Sequence, residues 1–143
     1  MTSTGKIELM APAGNFESLQ AALDNGADSI YFGVEQLNMR ARASINFTLN
    51  DLPEIAKRCE AKRVRTYLTL NTIIYDHDLS IVKTLLDKAK AANLTAVIAM
   101  DQAVIAYARQ IGMEVHISTQ INITNIETVK FYALFADTMV LSR

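Results

Sequence analysis

Residues 96–119 read AVIAMDQAVIAYARQIGMEVHIST and hold a complete strand–helix–strand unit. Ala96–Met100 is a short apolar run without polar alternation, the pattern of a strand buried on both faces. Val104, Ile105, Ala108 and Ile111 then recur at helical spacing, and Gly112 stops the stripe. Val115–Thr119 begins the next strand. Two such strands joined by one helix pair in parallel, through a right-handed crossover.

Working outward, the same unit repeats. Further apolar runs lie at Ile7–Met10, Ser29–Val34, Thr66–Asn71 and Thr138–Leu141. Helical stripes separate them. Phe16, Leu19 and Leu23 share a face, with Asn15 as N-cap and Gly26 past the end. Leu52, Ile55, Ala56 and Cys59 form a second stripe, with Pro53 in the first turn if Asn50 is the cap. Leu79, Val82, Leu85, Leu86 and Ala89 form a third. Thr124 and Glu127 read as a capping box ahead of Val129, Tyr132 and Leu134. Strand starts fall about 20 to 37 residues apart, the spacing of (β/α)₈ units. The expected class is therefore α/β, a parallel TIM-barrel-like (β/α) fold that is incomplete, with about six of eight units. A doubly wound open sheet is the competitor.

The 143 residues suit a single domain over 1–143, and 50% hydrophobic residues suffice for a core. A formal net charge of −1 argues against a dominant polyanion-binding role. No apolar run approaches the ~18–20 residues of a membrane span. One cysteine, Cys59, precludes a disulfide scaffold and makes a cytoplasmic location the default expectation.

In either architecture the functional rim is the C-terminal ends of the strands. Arg40 and Arg42 fall in the long loop after strand 2, where they either clamp a phosphate or carboxylate or stand as solvated charges. Strand 3 delivers Asn71, and strand 4 delivers Asp101, equally an N-cap for the helix that follows. In strand 5, alternation puts His116, Ser118 and Gln120 on one side, and that polar row fits the lumen better than the helix-facing side. His116 can move protons near neutral pH. Arg143 closes strand 6 at the rim. Cys59 is expected in the core. Lys57, Arg58, Lys62, Arg63 and Arg65 form a basic cluster at the opposite end, read as a solvated helix terminus rather than an RNA-contacting patch. Phosphate-loop glycine motifs, a nucleophile elbow and the short metal-ligand spacings are absent, so no metal ligand is assigned.

At these residues the chain resembles peptidase family U32, the collagenase-like proteases. The resemblance runs from Glu8 to Arg143. It is carried by Glu8–Gly14, Gly26–Gly33, Arg40-Ala41-Arg42-Ala43 with Asn46-Phe47, Thr69–Thr72, Ala96–Asp101, His116–Gln120, Asn122, Asn125 and Val140–Arg143. It implies a TIM-barrel-like N-terminal region followed in relatives by a cysteine-rich part that is absent here. It also implies an iron–sulfur cluster in the full-length parent and no cofactor within this chain. The expected function is that of the N-terminal region of a U32 peptidase, inactive as an isolated fragment. His116, Asp101 and Ser118 are its candidate catalytic residues, and Arg40, Arg42, Asn71, Gln120 and Arg143 its candidate substrate-binding ones. Iron–sulfur-dependent hydroxylation of RNA bases or quinone precursors is the alternative. A third reading is a non-catalytic fragment that self-associates through open sheet edges. The expected partner is a peptide or RNA.

Overall fold

The computed structural model describes residues 5–35 and 47–143. Strands and helices alternate: β1 (Met10–Pro12), α1 (Phe16–Asp24), β2 (Ser29–Phe32), α2 (Leu52–Ala61), β3 (Arg65–Leu70), α3 (Leu79–Ala91), β4 (Ala96–Ala99), α4 (Gln102–Gln110), β5 (Glu114–Ile117), α5 (Ile126–Tyr132) and β6 (Thr138–Met139). The six strands lie in the order β1-β2-β3-β4-β5-β6, each parallel to its neighbour. A doubly wound sheet reverses its strand order at a switch point; this one never does, and its curl is that of an open barrel.

Each strand shows one side to the helices. Ile30, Phe32, Leu68, Leu70, Val97, Ala99, Val115 and Ile117 meet Leu19, Ile55, Cys59, Leu85, Val104 and Ala108 in a continuous core. The other side, the lumen, carries a small separate cluster of Tyr67, Ala96 and Ile98 packed against Tyr31. Burial on both sides explains why the central strands read as unbroken apolar runs.

Local chemistry sets the boundaries. Asn15 and Ser18 cap α1 reciprocally, with Ser18 N donating to Asn15 Oδ1 at 2.7 Å. Several expected boundaries shift; among them β2 ends at Phe32 rather than Val34 and β6 at Met139 rather than Leu141. Strand 1 begins at Met10 rather than Ile7: Leu9 N donates to the Asp28 carboxylate (Oδ2, 2.9 Å) instead of a ladder carbonyl, while Leu9 O accepts from Asp28 N and Ser29 N. Helix α2 starts at Leu52 after a 3₁₀ turn over Leu49–Asp51, since Asp51 Oδ2 reaches back to Thr48 N (2.7 Å); Asp51 rather than Asn50 is its cap. Helix α5 is capped by Asn125, whose Oδ1 accepts from Thr128 N at 2.9 Å, not by Thr124 with Glu127. Strand β5 ends at Ile117 rather than Thr119, for a reason given below.

Cys59 is fully buried on α2, as expected, and burial pushes its thiol up to about 11. A thiol that is both protonated and shielded is inert. We therefore expect Ellman's reagent near pH 8 to leave the native chain unlabelled and to label it at once in denaturant. Equal labelling rates in the two conditions would place Cys59 outside the core.

The sheet is open at β1 and β6. Large apolar side chains are exposed beside both edges: Ile7 and Leu9 before β1, and Phe131, Leu134 and Leu141 around α5 and β6. No helix among the described residues is long and apolar enough to cross a membrane.

Candidate functional site: a charged layer in the barrel lumen

The lumen side of β3 presents Arg65 and Tyr67, and that of β5 presents Glu114 and His116. Glu8, just ahead of β1, reaches the same place. Contributions from alternate strands are how a (β/α) barrel fills its interior in layers. Here the layer is polar. His116 Nε2 lies 2.7 Å from Glu114 Oε1. Arg65 donates from Nη2 to Glu114 Oε1 (3.2 Å) and from Nη1 to Glu8 Oε2 (3.4 Å). The Tyr67 hydroxyl donates to Glu8 Oε1 in a short hydrogen bond. The rings of Tyr67 and His116 stand 4.7 Å apart, and the Arg65 guanidinium lies over the Tyr67 ring. A chain of contacts thus runs Tyr67–Glu8–Arg65–Glu114–His116, and it ends on a histidine that is 6% exposed.

Two of these groups are shifted. Burial raises the Glu8 carboxyl, but the hydrogen bond from the Tyr67 hydroxyl and the positive charge of Arg65 outweigh it, leaving Glu8 below its usual value of 4.5. Burial, and then the bond to Glu8, pushes the Tyr67 hydroxyl up to about 12, so it stays protonated and donating.

Asp28, outside the lumen, is also lowered, by the Leu9 N–H and by Lys6. A carboxyl more acidic in the folded than in the unfolded chain stabilises the fold above its ordinary value. It loses that contribution as pH falls through the depressed one. Stability should therefore decline as pH drops below 4.5 for Glu8 and 3.8 for Asp28. Urea midpoints measured across that window should fall, and Glu8→Gln should flatten the fall. An unchanged slope in that variant would contradict the assignment.

One layer higher, at the C-terminal ends of the strands, Asn71 Nδ2 donates to Ser118 Oγ at 3.4 Å. Ser118 is buried, and its Oγ also accepts from Gln120 N (3.3 Å). That second bond ends β5 by turning the chain into a 3₁₀ turn over Thr119–Ile121, closed by Asn122 at φ 57°. Strand alternation therefore stops at Ser118, and Gln120 is exposed instead of continuing the lumen row. Asp101 sits at the rim as the cap of α4, its Oδ1 accepting from Ala103 N at 2.8 Å. Arg143 is exposed at the end of the chain. Arg40 and Arg42 lie outside the described residues.

The structure thus brings together His116 in the lumen and Asn71 with Ser118 directly above. No hydrogen bond joins Ser118 to His116, whose Nε2 is taken by Glu114. Arg65 leaves the basic cluster in which the sequence placed it and becomes the centre of the lumen layer. Of the remaining cluster, Arg58 pairs with Glu54 at 2.9 Å. Glu8, Tyr67 and Glu114 were missed. Glu114 alone had a local signal, since it sits two residues before His116 and so on the same face.

The pattern of Peptidase family U32 matches residues 14–143. The chain belongs to this family. A collagenase of Porphyromonas gingivalis is 54% identical over 95% of the chain and 33% of its own length. A tRNA hydroxylation protein P1 of Bacillus subtilis is 32% identical over 90% of the chain and 31% of its own length. The chain therefore spans about a third of the length of these curated relatives. Among solved structures, one described as a U32 peptidase superposes with a TM-score of 0.74 at 13% identity, covering 99% of this chain and 61% of its own; at that identity it supports the fold.

The resemblance places an iron–sulfur cluster in the longer parent, and the residues of this chain do not by themselves fit such a group. The chain has one cysteine. Its thiol, in the helix-side core and pushed up to about 11, is a poor ligand for a cluster that binds thiolates. No grouping of three or more metal-binding side chains occurs among the described residues.

Proposed function

We propose that this chain supplies the first six strands of a peptide-hydrolysing U32 barrel and works together with the further chain that its relatives carry. The observation that supports this reading is the His116–Glu114 pair in the lumen, beneath the Asn71–Ser118 contact. His116 acts as general base, taking the proton of an attacking water and returning it to the leaving amine. Asn71 and the Ser118 hydroxyl, which accepts two hydrogen bonds and keeps its own proton to donate, hold the scissile carbonyl. Arg40, Arg42 and Arg143 receive the carboxylates of the peptide. Identity to the collagenase, the higher of the two values given above, favours the same reading.

Hydroxylation of an RNA base is the second reading, favoured by the tRNA hydroxylation relative, which matches 90% of the chain. One experiment separates the two. This chain replaces the matched third of the P. gingivalis collagenase, and the graft is offered a gelatin-type peptide. Cleavage is expected. An intact peptide together with new hydroxylated nucleosides in co-expressed tRNA would replace the first reading with the second.

A further inference from the structure

We infer that Glu114 is a positioning residue that fixes the tautomer of His116, so that the base presented to the lumen is Nδ1. The inference deepens the proposed function and rests on it only for the catalytic use of that nitrogen. An ionised carboxylate has no proton to donate. With Glu114 Oε1 at 2.7 Å, Nε2 must therefore carry the ring proton. Neutral His116 is then the Nε2–H tautomer with its lone pair on Nδ1, and no hydrogen bond among the described residues reaches Nδ1.

The charged and titratable groups facing this pair come from two places, β3 and the segment ahead of β1. Arg65 on β3 shares the same Glu114 oxygen at 3.2 Å, Tyr67 on β3 packs against the ring, and Glu8 ahead of β1 holds both of them. Arg65 anchors the carboxylate against rotation away from the histidine. Contact with the Tyr67 ring, tilted at 56° with its centroid 4.7 Å away, limits rotation of the imidazole. A carboxylate that orients a histidine and sets its tautomer is a general device for preparing a base. In this chain the device is built along one strand, from residues two apart.

The test is long-range ¹H–¹⁵N correlation of the ¹⁵N-histidine-labelled chain, which resolves the two tautomers of each neutral imidazole. His77 is exposed, with its Nε2 3.4 Å from Asp78 Oδ1, and gives a second, separately assigned signal for comparison. In the native chain His116 should occupy the Nε2–H form alone. Glu114→Gln, whose amide can either accept or donate, should yield both forms. Glu114→Asp should restore part of the single-tautomer signal. An Nδ1–H tautomer in the native chain overturns the inference, and so does a single Nε2–H form that survives in Glu114→Gln. The native spectrum needs no variant, so a variant that fails to fold leaves the proposal testable. It needs no substrate either. An inactive graft with the expected tautomer would therefore count against the peptidase reading alone, and a cleaving graft with the Nδ1–H tautomer against the positioning role alone.

Discussion

Replacing His116 by alanine is expected to lower kcat/KM of the grafted enzyme by about 10²–10⁴-fold, the usual contribution of a positioned acid–base group. That corresponds to about 3–5 kcal/mol of transition-state stabilisation. The loss should fall mainly on kcat, because the groups assigned to hold the carbonyl, Asn71 and Ser118, are untouched. Stability should change far less than activity. The histidine belongs to the lumen side, against Tyr67, and its removal leaves the helix-side core intact. Glu114 also keeps its contact to Arg65, so no buried charge is left alone. Steady-state kinetics alongside a thermal melt check both halves. A variant that melts like the native protein and cleaves at the native rate would remove His116 from the mechanism.

The largest effect on stability should come from Leu68→Ala. Leu68 is fully buried at the centre of the sheet, paired in register with Phe32 on β2 and Val97 on β4. Truncation there removes transfer free energy and leaves a cavity that two hydrogen-bonded neighbours cannot collapse to fill. The expected cost is about 2–5 kcal/mol. Domains of ordinary stability have only ~5–15 kcal/mol to lose. Tyr75→Ala, at a residue 61% exposed, is the contrast and should stay within about 0.5 kcal/mol of native. Urea unfolding of the three proteins gives the comparison. A Leu68→Ala cost below ~1 kcal/mol would mean that the helix-side core is not packed as described.

The order of elements was legible because each level of the sequence agreed with the next. Apolar runs bounded by Asn15, Asp101 and Gly112 encode strand, cap and stop within a few residues, and consecutive units then take adjacent places in the sheet. Where a side chain reached across a boundary, the reading slipped. Asp28 fastens the chain before β1, Asp51 tightens the entry to α2, and Ser118 turns β5 into a 3₁₀ helix, each through one hydrogen bond that no periodicity reports.

The candidate site divides along the same line. His116 stood out because it interrupts an apolar strand, and Asn71 and Ser118 because they stand at the C-terminal ends of β3 and β5. Arg65 looked like one more cation in a basic stretch, since nothing local shows that it faces the lumen between Glu8 and Glu114, 57 and 49 residues away. Contacts between alternate strands depend on register, and register exists only once the sheet has formed.

The most direct test of the central claim, that a lumen histidine held by Glu114 carries the proton, is the pH dependence of kcat/KM for the grafted enzyme with and without His116. The expected result is a limb that rises with pH as the imidazole loses its proton and is absent from His116→Ala. The same limb persisting in His116→Ala would assign the proton to another group and contradict the account.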